Sequence, residues 1–186
     1  MGSLESIAVI FSIAYTVLAI KESVWCWFMA LISVSIYFYL LINAHLYAES
    51  GLQVFYFLMA LYGIYQWKYG ANHRELPLSE YPLWKHLFLF LGGSIAVVLL
   101  STGLIHYTSA ALPVVDSFTT VFSIIATYMV TKKIISNWLY WIVIDAISVF
   151  MYYSRGYHLT AGLFVAYTLL AFWGYWQWKR TDEKIS

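Results

Sequence analysis

The sequence predicts an all-α membrane protein with seven transmembrane helices. Three observations predict it: an apolar composition, seven apolar segments of spanning length, and a one-sided distribution of positive charge. Of the 186 residues, 62% are hydrophobic and 10% are charged, against about 25% charged in ordinary soluble domains. A chain this short cannot hide so much apolar surface inside a water-soluble globule, because small domains leave a large share of their chain exposed. Lipid is the solvent that suits it. The net charge of +1 implies no polybasic or acidic partner and disfavours nucleic-acid binding. The single cysteine, Cys26, excludes an intrachain disulfide and is expected simply to pack.

Crossing the hydrocarbon core takes roughly 20 apolar residues in helical form. Seven stretches meet that requirement: 4–20, 24–43, 51–68, 85–107, 115–132, 136–153 and 159–178. Pro77, Pro82 and Pro113 fall between them or at an edge, as expected where backbone groups must be satisfied within each helix. The N-terminal Met-Gly-Ser-Leu-Glu-Ser lacks the basic start of a cleaved signal peptide. With seven spans, Lys21, Lys68, Arg74, Lys85, Lys132, Lys133, Lys179, Arg180 and Lys184 share one side, and Arg155 alone lies on the other. Short-loop Lys/Arg bias sets orientation, so the C-terminus is expected in the cytoplasm and the N-terminus outside.

The two ends of the chain repeat each other. With a shift of 111 residues, Phe11-Ser12-Ile13 meets Phe122-Ser123-Ile124, Lys21 meets Lys132, Trp27 meets Trp138, and Tyr56 meets Tyr167. Gly63-x-x-Gln66-Trp67-Lys68 meets Gly174-x-x-Gln177-Trp178-Lys179. The shift carries the first segment onto the fifth. Four spans is an even number, so the repeats run parallel, as they do in some small transporters with a site at the repeat interface. The predicted organisation is a first three-helix repeat over 1–70, a loop and linker helix over 71–110, and a second three-helix repeat with the tail over 111–186. The linker is aliphatic and reads as a lipid-facing or oligomer-facing strut.

Asp145 is the sharpest single signal. A carboxylate inside a span costs roughly 2.5–3.5 kcal/mol on insertion scales and usually faces a wet cavity or ligand site. Helical spacing places Trp138, Trp141, Asp145, Ser148 and Tyr152 on one face. Ser33, Gln53, Tyr56 and Tyr167 supply polar and aromatic groups on other segments. A carboxylate among aromatic faces suits an organic cation, through charge neutralisation and cation–π contact. Trp67 and Trp178, beside lysines, read as interfacial anchors, and Gly63 and Gly174 as close-packing positions. No phosphate-binding glycine loop, metal-ligand cluster or nucleophile–base pair is present. The five histidines, His45, His73, His86, His106 and His158, are scattered near helix ends. No enzyme, cofactor or metal is therefore expected.

Leu46-Tyr-Ala-Glu-Ser-Gly-Leu-Gln53-Val-Phe-Tyr56, Tyr62-Gly63-Ile-Tyr-Gln-Trp67 and Asn137-Trp138-Leu-Tyr-Trp141-Ile-Val-Ile-Asp145 resemble the PnuC-type family of vitamin transporters along nearly the whole chain. The resemblance implies a SWEET-like full-length fold in a 3+1+3 arrangement, a homotrimer in the bacterial inner membrane, and facilitated diffusion of a B-type vitamin. A cytoplasmic kinase, without a required complex, would trap the vitamin by phosphorylation. Members similar to nicotinamide riboside carriers tend to have Asn where this chain has Ser33 and Asp145. That departure favours thiamine, with nicotinamide riboside second. A proton-coupled carrier and a membrane scaffold or receptor without transport are the competing readings.

Overall fold

The computed structural model describes residues 2–45, 47–70, 76–107 and 112–185; Leu46, His73 and Arg74 lie outside them. The chain forms α1 (Gly2–Ile20), α2 (Trp25–Asn43), α3 (Tyr47–Tyr69), α4 (Leu83–Tyr107), α5 (Pro113–Thr131), α6 (Asn137–Ser154) and α7 (His158–Ile185). Five of these helices contain stretches long and apolar enough to cross a membrane: Ser3–Ile20, Trp25–Asn43, Leu83–Tyr107, Pro113–Thr131 and His158–Lys184. The two others, α3 and α6, fall below that apolarity for a readable reason. α3 carries Glu49, Gln53, Gln66 and Lys68, and α6 carries Asn137, Asp145 and a high share of tyrosine and tryptophan. These are the helices that bear most of the predicted polar positions.

Helix boundaries follow local chemistry. Pro113 occupies the first position of α5, where a missing N–H costs nothing. After α1 the chain reverses in a Schellman-type turn, with Glu22 N–H donating to the Ala19 carbonyl at 2.9 Å and Ser23 N–H to Leu18 at 3.0 Å. The turn after α5 repeats it residue for residue: Lys133 N–H donates to Val130 and Ile134 N–H to Met129, both at 3.0 Å. The residues at the turning point, Glu22 (φ 54°) and Lys133 (φ 51°), are left-handed although neither is glycine, at a cost of roughly 1–3 kcal/mol each. The turns after α2 and α6 also match, with His45 (φ 60°) and Gly156 (φ 81°) in the same role. Each of these pairs is separated by the repeat shift of 111. Ser79 and Ile134 form an isolated parallel bridge, and Ile135 N–H donates to Ser79 O at 2.9 Å.

The residues cluster into two compact units. The first holds α1–α3, the turn Val130–Lys133 and the chain from Trp176 onward; the second holds Ser79–Met129 and Ile134–Tyr175. In the first, α1 packs on α2 and α2 on α3. Ser33 ties two of these helices together, donating to the Ala8 carbonyl at 3.0 Å and lying 3.2 Å from Ser12 Oγ. The Trp27 indole fills the space that a side chain at Gly63 would need. In the second unit Phe122 is central, with ring centroids 5.9 Å from Phe90 and 6.3 Å from Tyr140, among Val97, Ala126 and Ile144. α4 buries only the stripe Gly93, Val97 and Ser101 and exposes Leu87, Phe88, Leu91, Ile95 and Leu99. The Trp138 ring lies 2.6 Å from where a Cβ on Gly174 would sit, which repeats the Trp27–Gly63 contact.

The two tryptophan–glycine contacts make a prediction. Gly63→Leu and Gly174→Leu force an indole out of place and should each destabilise the protein by about 1–3 kcal/mol. Gly51→Ala, which meets open space, should leave stability unchanged or raise it. Thermal unfolding in detergent reads the difference.

Candidate functional site

Asp145 lies in the middle of α6 and is 5% exposed. Among the described residues no hydrogen bond or ion pair reaches its carboxylate. Arg155, the one basic residue near that end of the helix, instead pairs with Asp116 at 3.4 Å. A buried acid without a partner is costly, so Asp145 is chemically prepared for a cation or a hydrogen-bond donor.

Its own helix supplies most of the expected company. Trp138 and Ser148 are buried, and Trp141 packs against the Val97–Phe122–Ala126–Ile144 cluster. The Ser148 hydroxyl donates to the Ile144 carbonyl at 2.9 Å, so its proton serves its own helix. Tyr152 stacks on Phe164 of α7, with centroids 5.2 Å apart and planes 11° from parallel, and Phe164 meets Tyr167 edge-on at 6.1 Å. Phe164 therefore joins the two predicted tyrosines. It escaped the sequence argument because a lone phenylalanine in an apolar helix carries no signal. In the first unit, Ser33 is buried and bonded to α1, while Gln53 and Tyr56 are half-buried on α3.

Two further features were invisible in the sequence. His86 Nδ1 lies 3.0 Å from the Tyr140 hydroxyl and Nε2 3.2 Å from Ser136 Oγ, which fixes the ring at both nitrogens. Trp27 Nε1 and Asn137 Oδ1 are buried and have no hydrogen-bond partner among the described residues. No three His, Cys, Asp or Glu side chains among those residues converge to hold a metal ion.

The interfacial reading of Trp67 and Trp178 is corrected. Both are buried. Trp67 Nε1 donates to the Val130 carbonyl at 3.0 Å, and Trp178 Nε1 to the Ala19 and Ile20 carbonyls at 3.1 Å each. The last carbonyls of a helix lack partners within it; here the indoles add a donor beside the turn amides at Val130 and Ala19, and reach Ile20 as well. Glu22 and Lys133 pair at 3.0 Å, with the Lys133 ammonium 4.9 Å from the Trp67 ring centroid.

Apolar helices combined with a buried, unpaired carboxylate define a polytopic membrane protein with a polar interior, the class to which membrane carriers belong. The chain belongs to the PnuC-type family: the family model for the nicotinamide mononucleotide transporter matches residues 2–180. It is 28% identical to the nicotinamide riboside transporter PnuC of Escherichia coli (strain K12), over 94% of this chain and 84% of that protein. It is 27% identical to the riboflavin/roseoflavin transporter RibM of Streptomyces davaonensis, over 90% and 81% of the two chains. The crystal structure of the vitamin B3 transporter PnuC superposes with a TM-score of 0.77 at 23% identity, covering 98% of this chain and 83% of that one. These relatives are transporters, not enzymes.

The indole bonds give a second prediction. Trp67→Phe and Trp178→Phe keep most of the ring but remove the donor. Each should cost about 0.5–1.5 kcal/mol, the usual net contribution of one intramolecular hydrogen bond, and lower the unfolding temperature. Unchanged stability would show that the indole N–H bonds contribute nothing and that the rings act by packing alone.

Proposed function

We propose that the protein is a multi-pass inner-membrane carrier for a cationic B-type vitamin, with nicotinamide riboside as the leading substrate. The observation that carries this reading is Asp145, buried and without a partner among the described residues of its aromatic helix face. The pyridinium of nicotinamide riboside supplies the charge that Asp145 lacks, and Trp138, Trp141, Tyr152 and Tyr167 supply the rings for stacking and cation–π contact. Ser33, Gln53 and Tyr56 on α2 and α3 are the polar groups that the sequence reading assigns to the polar edge of the vitamin. Family membership, with relatives that carry nicotinamide riboside and riboflavin, supports the vitamin class. The named relatives are nicotinamide riboside and riboflavin/roseoflavin transporters, so thiamine moves behind the riboside. Riboflavin lacks the positive charge that would answer Asp145.

In the same reading all seven helices cross the membrane, with α3 and α6 shielding their polar faces inside the protein. The helices form two parallel three-helix repeats around α4 in a 3+1+3, SWEET-like arrangement. The N-terminus lies outside and the C-terminus in the cytoplasm, as the nine-to-one Lys/Arg split indicates. The carrier works as a uniporter in a homotrimer, and a cytoplasmic kinase retains the product. A scaffold without transport predicts an Asp145 hydrogen-bonded to its neighbours, and the bare carboxylate speaks against that.

Uptake of labelled nicotinamide riboside, thiamine and riboflavin into liposomes carrying the purified protein tests the proposal. The riboside should enter fastest. Asp145→Asn should reduce uptake by roughly tenfold or more, equivalent to about 1.4 kcal/mol, while Lys184→Gln at the exposed end of α7 leaves it intact. Equal uptake by the Asp145 variant removes the site, and faster thiamine entry reassigns the substrate. An imposed pH gradient should not change the initial rate; a rate that follows the gradient establishes proton coupling.

A further inference from the structure

We propose that the turns after α1 and α5 form the cytoplasmic gate of the carrier, with the Glu22–Lys133 ion pair as its latch. The inference rests on the transport reading above. Glu22 and Lys133 are 111 residues apart, the repeat shift itself. Each therefore touches its own counterpart. Two matched turns that meet at their own counterparts do so on a local two-fold axis, which here passes through the Glu22–Lys133 pair. On the transport reading, parallel repeats carry their pathway along such an axis, so this pair stands across it. The positive-inside distribution puts both turns at the cytoplasmic end.

The surrounding contacts share the same exchange. Trp67 of the first repeat holds the end of α5 through Val130, and Trp178 of the second holds the end of α1 through Ala19 and Ile20. Lys133 rests over the Trp67 ring, so latch and indole bond form one assembly. Two ordinary side chains are kept in the left-handed backbone region, where glycine would turn the chain without strain. Strain retained at matched positions points to a task for the side chains. The latch is also able to open. The Lys133 side chain is 7% exposed and that of Glu22 24%. Hydration regained on separation offsets most of the attraction in such a pair, so closed and open arrangements can lie close in free energy.

Two experiments test the latch. In the first, Glu22→Cys and Lys133→Cys are combined with Cys26→Ala and the protein is reconstituted in liposomes. Oxidation to the disulfide should lower nicotinamide riboside uptake by roughly tenfold or more, reductant should restore it, and riboside binding to the detergent-purified protein should persist. A cross-linked protein that carries the riboside at the reduced rate overturns the gate. The second experiment does not need transport. Cys26 is fully buried, four residues beyond Glu22. In E22Q/K133Q it should react with a small maleimide roughly tenfold faster than in the unaltered chain, and E22K/K133E should slow the reaction again. Unchanged labelling in E22Q/K133Q, or equally fast labelling in the reversed pair, overturns the latch. If the unaltered protein carries no vitamin, the transport reading fails, and the Cys26 rates still decide whether the pair closes this end.

Discussion

The structure depends on how two helix ends are satisfied. α1 and α5 each stop at a tight turn and leave carbonyl groups that no residue of the same helix can reach. In an apolar environment such groups cost several kcal/mol apiece if left bare. The turn amides take the Leu18, Ala19, Met129 and Val130 carbonyls; the Trp178 indole adds a second donor at Ala19 and reaches Ile20, and the Trp67 indole adds a second donor at Val130. Trp67 lies near the end of α3 and Trp178 in α7, so each of these helix ends is held by a side chain distant in the sequence. Trp67 then packs on Trp27 and Trp178, with centroids 5.4 and 6.1 Å away, and supports Lys133.

The same logic explains the shared Gly-x-x-Gln-Trp-Lys motif. The tryptophan closes a helix of the other repeat, while the glycine four positions earlier makes room for the Trp27 or Trp138 ring of its own repeat. Two functions one turn apart hold the third helix of each repeat in register. Little freedom is left for either position, which is why so much of the internal resemblance is concentrated there.

The helices were legible in the sequence because apolar length is a local property. All seven predicted segments coincide with helices to within a few residues, except that α3 begins earlier and α7 runs on through the charged tail to Ile185. Asp145 was legible for the same reason: a charge in an apolar run is conspicuous wherever the chain folds. The Trp67 and Trp178 roles were not. A tryptophan beside a lysine looks the same whether it faces headgroups or a distant carbonyl, and only the partner, 63 residues away for Trp67, distinguishes them. The bond of Ser33 to α1 was hidden by a related ambiguity, since a hydroxyl free to meet a ligand and one bonded to a neighbouring helix are identical in sequence. The His86–Tyr140–Ser136 contacts join residues at least 50 positions apart and have no sequence periodicity at all.

The opposite charges of Glu22 and Lys133 break the likeness of the two turns. The two turns have the same backbone hydrogen bonds, so identical residues at their turning points would set like charges face to face, and the pair forms only because one turn is acidic and the other basic. A chain whose two ends match in backbone is thereby made unlike at the one point where they touch.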